Sequence, residues 1–146
     1  MRFNPFYSFI RTFWYIASRR VHFPLNRIGE ELEVKDERFV IFRQVIIDPH
    51  PNQQEKPGAI FRVRFRLANM SLKQNIRFSR LPIPFFIGLP GFRSKIWMHN
   101  ESTGWCFGIY EWDSVQAAEK YVQSFAVRFM TRRSVPGSIS HGIIPK

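Results

Sequence analysis

The chain has 146 residues, of which 45 % are hydrophobic and 23 % charged, the composition of a folded globular protein rather than of a disordered tail. Its 22 basic against 11 acidic residues leave a net charge of +11, which favours phosphates, anionic lipid or an acidic protein surface and says nothing of fold. With Cys106 the only cysteine, an intrachain disulfide and a thiolate metal cluster are both excluded.

The N-terminal stretch stands apart. From Met1 to Ile28 there are five arginines and no acid, while Phe3, Phe6, Phe9, Ile10, Phe13 and Trp14 recur at helical spacing. Such a face must be covered, and three readings compete: a helix docked on its own domain or a partner, a membrane-surface helix, or an organellar transit peptide. Arg11, Arg19 and Arg20 would meet the acidic or anionic side of whatever covers it. The same arginines keep this stretch short of the roughly 20 apolar residues that a spanning helix needs, so the chain is expected in the cytoplasm or peripherally on a membrane, with organellar import left open.

After Pro24, residues Glu30 to Val34 and Phe39 to Ile47 read as a hairpin around the polar turn Lys35 to Arg38, its second strand apolar on both faces and so buried. Asp48 to Gly58, with three prolines, reads as a linker. The expected organisation is an N-terminal extension of helix, hairpin and linker over residues 1–58 and a domain over 59–146.

In that domain Ile60 to Leu67 alternates Phe61, Val63, Phe65 and Leu67 with Arg62, Arg64 and Arg66, a strand with one core face and one cationic face. Asn69 to about Arg80 reads as a helix ended by Pro82 and Pro84, and Phe92 to His99 and Trp105 to Trp112 as strands. A second helix is expected with Asp113 as its cap, Gln116 three positions on, and a buried stripe of Ala118, Val122, Phe125 and Phe129. Pro136 and Gly137 stop it, and Ser138 to Ile144 is a fourth strand. The order is βαββαβ, the α+β ferredoxin-like plait, with both helices on one sheet face and the first and third strands central.

The runs Pro90-Gly91-Phe92-Arg93-Ser94-Lys95-Ile96-Trp97, Gly108-Ile109-Tyr110-Glu111-Trp112 and Ala117-Ala118-Glu119-Lys120-Tyr121 resemble the YdhR-like putative monooxygenases of the dimeric α/β-barrel superfamily. The resemblance covers about Ala59 to Lys146. It implies a homodimer whose sheets face each other across a cavity and, in some relatives, oxygenation of phenolic or quinol-like substrates without a cofactor.

Alternation also predicts that Arg93, Lys95, Trp97 and His99 share one face of their strand and continue the cationic face of Arg62, Arg64 and Arg66. Three accounts of that face stand: solvated, a docking surface, or an anion-binding cavity. For an enzyme, Trp97, His99 and the Arg62 to Arg66 face would line one cavity for an anionic aromatic compound. His99 and His141 are candidate general bases, although lone histidines are more often merely hydrogen-bonded. Trp97, Trp105, Tyr110 and Trp112 fill a core or line an aromatic pocket. No metal-ligand spacing, phosphate-cradling loop or nucleophile elbow occurs, and no cofactor is called for. Nucleic acid is disfavoured because the cationic strand lacks interleaved exposed aromatics. Two functions remain: a small enzyme or ligand-binding dimer of the YdhR-like type, and a non-catalytic basic subunit docking on a membrane protein complex or anionic membrane surface.

Overall fold

The computed structural model describes residues 5–49, 51–53, 56–68 and 71–146; Phe3 and the expected helix start at Asn69 lie outside the described residues. The elements in chain order are α1 (Pro5–Ala17), β1 (Val21–His22), β2 (Glu31–Val34), β3 (Glu37–Ile47), β4 (Ala59–Phe65), α2 (Leu72–Phe78), α3 (Ile83–Phe86), β5 (Phe92–His99), β6 (Cys106–Trp112), α4 (Val115–Val122), α5 (Phe125–Arg133) and β7 (Ser140–Pro145).

One antiparallel sheet runs β1-β3-β5-β6-β4-β7, with β2 also paired to β3. Read from β7, the strands β7-β4-β6-β5 have the order of a ferredoxin-like plait, with β4 and β6 at its centre, and the fold is of that α+β class. The N-terminal hairpin is stitched to it, because Val40 to Ile46 of β3 pair with Ser94 to His99 of β5. Lys35 and Asp36 turn the hairpin with positive φ of 48° and 66°, the pair of left-handed residues that a two-residue turn needs to match strand twist.

Alternation in β4 places its side chains as the sequence predicts. Phe61 and Val63 are buried beneath the helices with Phe86, Tyr110, Trp112 and Tyr121, and Phe65 packs against the same cluster. Across the sheet Arg62 is exposed, while Phe39, Ile41, Met98 and Phe107 form a second cluster with the hairpin's Leu32 and Val34. The face expected to be bare is therefore half covered by the chain's own hairpin.

The strand β5 departs from expectation. Its pairing with β6 is irregular between Phe92 and Ser94, and Lys95 then faces Tyr110 while Trp97 faces Gly108. Since Tyr110 and Gly108 also sit opposite Phe61 and Val63, Lys95 and Trp97 belong to the helix-covered side. Ile96 and Met98 share the outer face with Arg62 and Arg64. The bulge at Arg93 is the physical reason, because one extra residue reverses which side chains look inward.

The helices are also more broken than periodicity predicts. Ser71 and Gln74 make a reciprocal capping box that starts α2. Pro82 then starts α3 rather than simply ending α2, its missing N–H costing nothing in a first turn. The helix expected from Asp113 onward is two pieces, α4 and α5, separated by Gln123 and Ser124. Ser114, not Asp113, caps α4 by accepting the Ala117 N–H at 3.1 Å. Asp113 instead accepts from Arg93 at 2.9 Å and Gln53 at 2.7 Å. The buried residues of the pair are Ala118, Tyr121, Ala126 and Val127, while Val122, Phe125 and Phe129 are half-buried.

Candidate functional site

Between the sheet and the helices lies a cavity whose floor comes from adjacent rungs of β5 and β6. Lys95 and Tyr110 form one rung, Trp97 and Gly108 the next, and Cys106 the third. The roof is Asn75 and Phe78 of α2, Phe86 of α3, Tyr121 of α4, and Ala126 and Phe129 of α5. Gly108 supplies the space. A Cβ there would stand 3.1 Å from Tyr110 Cε1, a tight approach, and 3.6 Å from Lys95 Cε, an ordinary contact, so the missing side chain chiefly makes room for the Tyr110 ring. The void left among these side chains is ≈ 60 Å³, room for a few waters.

Lys95 is the unusual member. It is 8 % exposed, and its Nζ lies 4.4 Å from the Tyr110 ring centroid, 4.5 Å from Trp97 and 4.9 Å from Phe86. Its electrostatic neighbours are Arg43 and the Cys106 thiol, and among the described residues no carboxylate forms an ion pair with it. Burial holds this amine well below the ordinary lysine range, and Arg43 pushes it the same way. The guanidinium of Arg43 lies 5.2 Å from the Trp97 centroid and donates to Ser79 Oγ at 2.7 Å and to the Ile76 carbonyl at 3.0 Å. Burial first, and then Arg80, lower Arg43 to about 10.

The other polar groups are quiet. Cys106 Sγ accepts from Asn75 Nδ2 at 2.9 Å, yet burial outweighs that bond and pushes the thiol up to about 11. A thiol protonated at neutral pH is a poor nucleophile. Burial likewise drives the Tyr110 and Tyr121 phenols upward, so neither is a base near neutrality. Among the described residues no cluster of His, Cys, Asp or Glu could hold a metal ion.

The structure separates the residues that the sequence grouped. Lys95 and Trp97 enter the cavity; Arg62, Arg64 and Arg66 do not. Arg64 donates to Glu37 at 2.8 Å and 3.0 Å with its guanidinium 3.6 Å from the Trp105 centroid, and Arg66 lies 5.6 Å from the same ring. Arg62 and Arg64 line an open groove with Glu33 and Glu37 on the opposite face. Arg93 is tied to Asp113. His99 is buried behind Phe42, their rings 4.9 Å apart, with Nδ1 unpartnered and the ring's pKa lowered by burial. His141 is exposed on β7, 5.6 Å from Phe61. Sequence reasoning misses Asn75, Phe86 and Tyr121, which reach the cavity only through tertiary packing, and Arg43, which lies against Trp97 from outside its lining. The one available signal was Gly108 in mid-strand, a residue that marks a close approach.

The ferredoxin-like fold is shared with several solved proteins, all under 25 % identical to this chain, so the likeness is one of fold. An uncharacterized ferredoxin-fold protein from Listeria monocytogenes, related to antibiotic biosynthesis monooxygenases, superposes with a TM-score of 0.57 at 13 % identity, over 80 % of this chain and 69 % of that one. A heme-degrading enzyme from the same organism gives 0.52 at 13 % identity, over 73 % of this chain and 69 % of its own. An anthrone oxidase-like protein gives 0.52 at 17 % identity, over 74 % of this chain and 53 % of that one, so this chain spans about half its length. No family model and no curated protein matches the sequence.

Proposed function

We propose that the cavity binds a planar, electron-rich aromatic compound and that the protein acts on it as a monooxygenase-like enzyme, with Lys95 as the proton acceptor. The observation that carries this reading is the Lys95 amine, held without a carboxylate against three ring faces in an apolar site. Burial and Arg43 lower the amine's pKa and so favour its free-base form, and once it takes a proton the ring faces stabilise the ammonium. Removing a proton from an activated methylene or phenol leaves an electron-rich anion in the field of the cationic Arg43, which lies behind Trp97. Its reaction with O₂ places one oxygen atom in a carbonyl at the former methylene and releases the other as water, all four electrons coming from the substrate. No external reductant is required.

Relatives in fold described as related to antibiotic biosynthesis monooxygenases and as anthrone oxidase-like support the reaction class, and so does the YdhR-like run from Pro90 to Trp97. Two or three fused rings exceed the ≈ 60 Å³ void, so binding must displace lining side chains; Phe78 and Phe129, stacked at 5.5 Å, are the largest that α2 and α5 contribute. The test is oxygen uptake with a panel of phenols, quinols and anthrones and no added metal or flavin. Uptake by the native chain that Lys95→Met abolishes, with the fold intact by circular dichroism, is the expected result. Uptake unchanged in Lys95→Met removes the lysine from the mechanism, and absence of both uptake and binding across the panel removes the reading.

A further inference from the structure

The helix α1 is docked the wrong way round for one that faces water. Its buried residues are Ser8 and Thr12, which lie over Gly88, where a Cβ would come 2.0 Å from the Ser8 carbonyl oxygen and 2.8 Å from Thr12 Oγ1. Neither hydroxyl finds a hydrogen-bond partner there. The opposite side carries Phe6, Ile10, Phe13 and Trp14, exposed by 81, 55, 67 and 67 %. Burial of apolar area alone would have turned that side inward. The apolar surface continues past the helix: Phe9 lies 5.6 Å from Phe85 of α3, and beside it Pro5, Leu81 and Phe85 line a groove whose charged residues are Arg128 and Arg132 of α5. No acid belongs to α1 or this groove, because the eleven Asp and Glu of the chain fall at 30–37, 48, 55, 101, 111, 113 and 119.

We propose that this face seats on an anionic lipid bilayer, with α1 lying in the plane of the interface and the arginines of α5 at the headgroups. A second copy of the chain is a poor occupant, because a two-fold contact would bring cationic rim against cationic rim with no acid to pair. The apolar side is also a convex row of aromatic rings, which suits the headgroup boundary better than a protein groove. At 13 residues α1 is too short to span a bilayer, and among the described residues no helix is long and apolar enough to do so. The helix lies on the surface. Pro82, Ala126 and Phe129 of the groove also line the Lys95 cavity, and all three are left unaltered in the test, so this proposal and the oxygenase reading fail independently.

The experiment is co-sedimentation of the full chain with vesicles of phosphatidylcholine alone and of phosphatidylcholine mixed with phosphatidylglycerol. The expected result is binding to the anionic vesicles, weakened as salt rises, about tenfold weaker for Phe13→Glu/Trp14→Glu and several-fold weaker for Arg128→Gln/Arg132→Gln. Brominated lipid should quench Trp14 fluorescence. No binding to anionic vesicles, binding unchanged in both double variants, or a concentration-dependent dimer that Phe13→Glu/Trp14→Glu dissolves would each overturn the proposal, the last by showing that a second copy covers the face.

Discussion

An amine pressed against three aromatic rings titrates in a way that can be followed without knowing any substrate. Lys95 has its pKa lowered by burial in the folded chain but the ordinary value near 10.5 when unfolded. Between those two values the unfolded chain binds the extra proton, so stability rises with pH across that window and is lowest below the folded value, where the buried amine is charged. Urea denaturation as a function of pH should show that rise, and Lys95→Met should both flatten it and stabilise the protein at neutral pH by removing a desolvation cost. A flat native profile would show that the amine is solvated after all. The residue itself was visible in the sequence as a cation in an alternating strand, but its direction was not. Alternation fixes which residues share a face only until a bulge intervenes, and the irregularity at Arg93 left no signature that periodicity could detect. Trp97 was read onto the right strand and the wrong face for the same reason.

At the scale of elements, β4 is legible because its apolar residues keep a period of two, and β3 and β6 because they are largely apolar runs bounded by turns. The helices were read as longer and smoother than they are, since neither Ser124 nor Pro82 announces a restart within an apolar stretch. The β2–β3 turn offers a direct check on local chemistry. Lys35 and Asp36 are both left-handed, a conformation that costs an ordinary L-residue roughly 1–2 kcal/mol. Lys35→Asn/Asp36→Gly should therefore raise stability by about 1 kcal/mol in equilibrium unfolding, and a loss would mean that their side chains contribute more than the backbone strain removes. The seat of α1 gives a sharper test. A methyl at Gly88 overlaps the Ser8 backbone, and overpacking of this kind typically costs about 1–3 kcal/mol. In the Gly88→Ala chain trypsin should cut after Arg11 and Arg19 faster than in the native chain while the sheet keeps its circular dichroism. Equal cleavage rates would show that the helix accommodates the methyl by sliding.

The whole molecule presents two unlike surfaces, and their charges suggest different neighbours. Around α1 the rim is cationic only. On the outer sheet face the groove that holds Arg62 and Arg64 also holds Glu33 and Glu37, and a second groove lined by Ile60, Ile96 and Ile109 holds Arg93 and Glu111. Lys146 and Ser94 hydrogen-bond Glu111 at 2.9 Å and 2.7 Å; burial raises its carboxyl, but those bonds prevail and hold it below the ordinary range, so it stays ionised on this face. A surface carrying both signs and half-buried isoleucines can complement itself about a two-fold axis, which the cationic rim cannot. The hairpin covers only the end of the sheet near Phe39 and Ile41, and the remaining apolar strip is open to a partner. The expected assembly is a homodimer through the outer sheet face, with a light-scattering mass of twice 17.4 kDa. Ile109→Arg should reduce that mass to one chain's while leaving the Lys95 cavity, on the other side of the sheet, able to bind. If the native chain runs as a monomer at concentrations well above those of an ordinary dimer's Kd, or if Ile109→Arg leaves the dimer intact, the outer face serves some other purpose and the hairpin is all that covers it.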